Sequence, residues 1–101
     1  MLDIADGLLA SLPSGDAVVV TVTRVARSAP RGVGASMAVT ATRELIGSIS
    51  GGGVESDAIA LAHEVRSDGR ARTARFGFSD EQAYAAGLAC GGTVEVIAYL
   101  V

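Results

Sequence analysis

Residues 4–12 place Ile4, Leu8, Leu9 and Leu12 at the spacing of one helical face, and Pro13, Ser14 and Gly15 end that run. Residues 17–25 are rich in Val and Thr with no breaker, the pattern of a well-buried strand. Residues 35–41 and 44–50 read as two further strands, and the short join at 40–43 predicts a hairpin. A helix is predicted over about 54–67, with Val54, Ala58, Leu61, Ala62 and Val65 on one face and Glu55, Glu64 and Arg66 on another. Residues 70–78 alternate as a strand with Arg72, Ala74, Phe76 and Phe78 on one side. Ser79, followed by Asp80 and Glu81, is a helix start, and a short helix should run to about Gly87. Residues 93–101 form a last strand. The order α-β-β-β-α-β-α-β predicts an α+β fold in a single domain, with a mixed sheet of about five strands and two to three helices.

Composition narrows what such a domain can do. Half of the 101 residues are hydrophobic, but 18 of those are alanine, so the large apolar side chains are fewer than the total suggests. There is no lysine, which removes a Walker-type phosphate lysine and Schiff-base chemistry. One cysteine and one histidine cannot form an intrachain disulfide and argue against a multi-ligand zinc site. The net charge of −3 argues against a nucleic-acid partner, which requires a basic surplus. No apolar run approaches about 20 residues, and the acidic start of the chain is unlike a signal peptide, so a cytoplasmic location is expected.

Three segments carry candidate chemistry. Gly51, Gly52 and Gly53 join a strand to a helix, where converging N–H groups and the helix dipole would suit an anion. The spacing matches no nucleotide fingerprint, Glu55 and Asp57 could satisfy the dipole themselves, and a tight turn is the plainer reading. Arg31 lies beside Pro30 in a loop with Gly32 and Gly34; it is either a solvated arginine or a fork for phosphate or carboxylate. Cys90, followed by Gly91 and Gly92, is either a small buried apolar group or a thiolate near a ligand. His63, on the polar side of its helix, reads as solvent-facing.

These segments, in this order, resemble the XdhC/CoxI family of accessory proteins for molybdenum hydroxylases such as xanthine dehydrogenase and carbon monoxide dehydrogenase. The matching stretches are Ser28-Ala29-Pro30-Arg31 with Gly34-Ala35 and Met37, and Gly47-Ser48 with Ser50-Gly51-Gly52, Val54-Glu55 and Asp57. They continue with Phe76-Gly77, Ser79-Asp80, and the run Gly87 to Val96 that contains Cys90 and Gly91. The resemblance covers residues 17–101.

It implies a chaperone, not an enzyme in its own right, that binds the molybdenum cofactor transiently, as molybdopterin or its dinucleotide form. Such a protein shields the cofactor while its terminal sulfur is installed and helps insert it into the hydroxylase. The implied partners are that hydroxylase and a cysteine desulfurase, with a second copy of the chain as a further candidate. On that reading Arg31 and the amides of Gly51, Gly52 and Gly53 contact anionic groups, and Glu55 bonds the amino-pyrimidine edge of the pterin. Cys90, flanked by Gly91, lies near the dithiolene or ligates the metal. Two departures matter. Relatives commonly carry cysteine where this chain has Gly53, and many continue into a second, Rossmann-like domain, so the chain is either a short member or a fragment. The competing readings are a docking module that holds no cofactor and a small sulfur-transfer or thiol enzyme using Cys90.

Overall fold

The structure, a computed structural model, describes residues 2–26, 32–49, 55–77 and 92–101. A 3-10 turn (Leu2–Ile4), helix α1 (Ala5–Ser11) and a second 3-10 turn (Leu12–Ser14) lead into strand β1 (Val18–Ala26). Strands β2 (Ser36–Val39) and β3 (Leu45–Gly47), helix α2 (Glu55–Asp68), and strands β4 (Arg72–Gly77) and β5 (Thr93–Leu100) follow. The five strands form one sheet in the order β3-β2-β1-β5-β4.

The α+β class and the five strands agree with the sequence pattern, but among the described residues every pairing is antiparallel where a mixed sheet was expected. The reason is the landing point of the helical crossover. β3 and β4 run the same way, yet α2 carries the chain from one edge of the sheet to the other, so three strands separate them and no parallel pair forms. The predicted hairpin at 40–43 is present: the Thr40 N–H donates to the Glu44 carbonyl at 3.0 Å, and Arg43 takes the positive φ of 68° that closes the turn. The predicted helix over 79–87 lies outside the described residues.

The sheet has a core layer on each face. On one, Ala58, Leu61, Ala62 and Val65 of α2 cover Val18, Val20, Val22, Met37, Val39, Val94 and Val96. These are the helical positions that periodicity predicts, and fully burying each valine contributes roughly 1.5–3 kcal/mol. Among the described residues the other face is covered only in part: Ile4 and Leu8 pack on Ala17, Val19 and Ala38, with Ile46 and Tyr99 at the margin. The first helix is too short to bury its whole predicted stripe, so Leu9 and Leu12 are exposed. Its limited reach also corrects the expectation of a well-buried β1, whose side chains are buried through Val22 and then largely exposed. β3 is shorter than predicted because Gly47, at φ 75°, turns the chain out of extended conformation.

Arg66, on a different face of α2 from its apolar positions, is half-buried and clamps the sheet. Its guanidinium donates to the Asp16 carbonyl at 3.2 and 3.3 Å and to the Val39 carbonyl at 3.0 Å. This fixes the C-terminal end of α2 beside the start of β1 and the end of β2. The N-terminus of α2 therefore lies at the opposite end of the sheet.

Candidate functional site

That opposite end is where the three sequence-predicted segments depart. β1, β3 and β4 finish there, at Ala26, Gly47 and Gly77, and β2 and β5 begin there, at Ser36 and Thr93. Segment 27–31 leaves after β1, segment 50–54 precedes α2, and segment 78–91 links β4 to β5. Ala26, Thr93 and Gly77 even share one row of the ladder. Stretches far apart in sequence are thus anchored at one end of one sheet. Arg31, Gly51, Gly52, Gly53, Cys90 and Gly91 themselves lie outside the described residues. Of the predicted site residues, Glu55 alone is described.

Glu55 opens the first turn of α2, and Ser48 Oγ donates a short 2.5 Å hydrogen bond to its Oε1. Donor and acceptor flank the glycine segment, so this bond ties the exit of β3 to the entrance of α2. Asp57 shares that first turn, so two carboxylates face the partial positive charge of the helix end, as the sequence suggested. Ser48 lies in the Gly47-Ser48 stretch, where no local pattern marks it; its role depends on how the chain turns after Gly47.

Gly47 makes that turn possible. A Cβ there would lie 2.3 Å from Ile4 Cγ2 and 2.7 Å from the Ser36 carbonyl oxygen. The same N-terminal 3-10 turn reaches the start of β2, where the Ser36 N–H donates to Asp3 Oδ2 at 3.1 Å. Burial works against the Asp3 charge, but the Ser36 N–H and the other groups around it outweigh this and hold its carboxyl below the ordinary value. Buried Ser36 is itself satisfied by Thr21 Oγ1 at 2.9 Å and the Gly34 carbonyl at 3.2 Å.

Sequence reading missed a second group at this end. Arg24, Glu95 and Arg75 stand directly opposite one another across β1, β5 and β4. Nothing in their spacing reveals this, because the alignment depends on an irregularity in β1 and on pairing between distant strands. His63 is exposed on α2, as expected. Among the described residues no cluster of three or more His, Cys, Asp or Glu side chains could hold a metal ion. Among them, too, no helix is long and apolar enough to cross a membrane.

Comparison with known proteins finds a family and a similar fold. The family model of the XdhC and CoxI family matches residues 13–77. A solved structure described as a xanthine dehydrogenase from Bacillus halodurans is similar, with a TM-score of 0.78 at 27% identity. The match covers 98% of this chain and 30% of that one, so this chain spans less than a third of that protein's length. No curated protein matches the chain.

Proposed function

The chain belongs to the XdhC and CoxI family, and from that premise we propose that it is an accessory protein of a molybdenum hydroxylase that holds the molybdenum cofactor transiently. The observation that supports this most is the common anchorage of segments 27–31, 50–54 and 78–91 at one end of the sheet. A pterin bearing a phosphate and a metal held through its dithiolene offers amino N–H donors, an anion and a thiolate-accepting metal. These call for a carboxylate, basic or amide donors, and a thiolate respectively. The donor set fits that demand: Glu55 supplies the carboxylate, its position fixed by Ser48. Arg31 with the Gly51, Gly52 and Gly53 amides would take the anion, and Cys90 beside Gly91 the dithiolene or the metal.

The bound cofactor would supply the oxygen-transfer chemistry of the target enzyme; this chain's residues would bind it, orient it and keep water from it. The hydroxylase, and a cysteine desulfurase that delivers sulfur, are the proposed partners.

The test is to co-produce the chain with a molybdopterin source, purify it, oxidise the denatured sample and measure the fluorescent pterin. We expect retention in the wild type, reduced at least tenfold by Glu55→Gln and by Cys90→Ser with the fold intact. Pterin at background in the wild type would overturn the proposal. Capture of the hydroxylase by a pterin-free protein would instead favour a docking module.

A further inference from the structure

The part of the second sheet face that no described element covers carries an arrangement that the cofactor reading does not use. In a regular β1, Val22 opposite Val96 would put Thr23 opposite Glu95 and Arg24 opposite Val94, on the face that α2 covers. A bulge between Val22 and Arg24 shifts the register by one, so that Arg24 stands opposite Glu95. On the other side Glu95 pairs with Arg75. Bulges that re-aim a side chain occur preferentially beside functional sites. Here the result is two guanidinium groups on adjacent flanks of one carboxylate.

The contacts are unequal. Arg75 Nη2 donates to Glu95 Oε1 at 2.9 Å, whereas Arg24 Nε lies 3.9 Å from Oε2. Glu95 is therefore neutralised by Arg75, and Arg24 remains as an excess positive charge whose side chain is 77% exposed. Two hollows of about 380 and 160 Å³ meet along Arg75 and Glu95, and threonines 23, 73 and 93 bring hydroxyl groups to their walls. In a chain of net charge −3 this is a local positive excess. It sits two residues inward from the row of Ala26, Thr93 and Gly77, where segments 27–31 and 78–91 depart.

We propose that Arg24 and Arg75, spread by Glu95 across three strands, form a binding site for a phosphate or pyrophosphate group. Two planar guanidinium forks with free N–H donors suit the several oxygens of such an anion better than a single carboxylate does. Glu95 holds the Arg75 fork over the sheet, and Thr73 and Thr93 add hydroxyl-bearing side chains to the hollows, while the Thr23 hydroxyl is engaged with the Glu95 carbonyl at 3.1 Å. The anion is either the phosphate end of the cofactor, a link that rests on the proposed function, or a separate phosphate ligand.

The test is titration of the full chain with inorganic pyrophosphate at low ionic strength, following the arginine Nε–H signals by NMR. We expect saturable shifts concentrated in Arg24 and Arg75. Arg24→Gln and Arg75→Gln should each weaken binding by about tenfold or more, with unchanged melting. Arg43→Gln, which makes the same charge change in the distant β2–β3 turn, should leave binding as it was. Shifts spread over all arginines, equal weakening by Arg43→Gln, or no saturation by about 10 mM would overturn the site. The pterin assay then separates the two sources. Loss of pterin in the arginine variants assigns the anion to the cofactor, and unchanged pterin assigns it to a free ligand. A wild type that binds pyrophosphate through these arginines yet retains no pterin would refute the proposed function and leave the site standing.

Discussion

Replacing Gly47 by alanine should be among the most damaging single-methyl additions in the molecule, and the comparison with Gly69→Ala shows why. Both glycines have nearly the same backbone angle, φ 75° at Gly47 and 72° at Gly69. An alanine in that region costs about 1–2 kcal/mol through the clash of Cβ with the following carbonyl. At Gly69 that is the whole cost, because a Cβ there meets no atom within 4 Å. At Gly47 the same Cβ would stand 2.3 Å from Ile4 Cγ2 and 2.7 Å from the Ser36 carbonyl oxygen. The isoleucine methyl can move, but the carbonyl belongs to the paired backbone of β2. Overpacking of this kind adds about 1–3 kcal/mol, giving roughly 2–5 kcal/mol in all.

Against a stability of about 5–15 kcal/mol for a domain of this size, that is a large share. The assay is equilibrium unfolding in urea. At a slope near 1.5 kcal/mol per molar, a loss of about 3 kcal/mol lowers the midpoint by roughly 2 M, against about 1 M for Gly69→Ala. Ile4→Ala empties part of the second core and costs stability by itself, but it should cost less in the Gly47→Ala background than in the wild type, because one of the two collisions disappears. Equal midpoints for Gly47→Ala and Gly69→Ala would refute the reasoning, since the close approach would then contribute nothing.

Further outcomes follow from the same contacts. Arg66→Met removes the donors that satisfy the Asp16 and Val39 carbonyls, and should lower stability by about 1–3 kcal/mol in the same unfolding assay. Val20→Ala opens the fully buried face beneath α2 and should cost about 1–3 kcal/mol, whereas Val33→Ala, 67% exposed, should stay within about 0.5 kcal/mol. The hydrogen bonds from Arg72 hold the Asp68 carboxyl below its ordinary value of 3.8, and the Asp3 carboxyl is depressed as well. Depressed carboxyl pKa values give a stabilisation that is complete above the unfolded value and lost as pH falls through the folded one. Thermal melts from pH 7 downward should therefore hold until about pH 4 and then fall. Asp3→Asn with Asp68→Asn should flatten that fall, and an unchanged slope would count against both assignments.

Much of the architecture is legible locally. The face of α2 can be read from Ala58, Leu61, Ala62 and Val65, and the alternation of β4 from Arg72, Ala74 and Phe76, because burial on one side imposes a 3.6- or 2-residue period. The hairpin at 40–43 can be read from its short polar join. The first helix is legible as a helix, yet the exposure of Leu9 and Leu12 is not, because that depends on how much sheet lies beneath it. Among site residues, Glu55 stands out by its place at a helix start, whereas its partner Ser48 becomes meaningful only once Gly47 has turned the chain.

Among the described residues, the sequence by itself determined which stretches are strands and helices, which faces are apolar, and, through its motifs, the family. Only the tertiary structure decided that the sheet is antiparallel throughout, that the three motif-bearing segments are anchored at one end, and that Arg24 and Arg75 meet at Glu95. The physical reason is range. Periodicity and turn chemistry act over a few neighbouring residues, while strand order and register are settled by pairing partners as distant as Arg24 and Glu95. A single extra residue in β1 changes which side chain reaches that face, and it leaves the local pattern almost untouched.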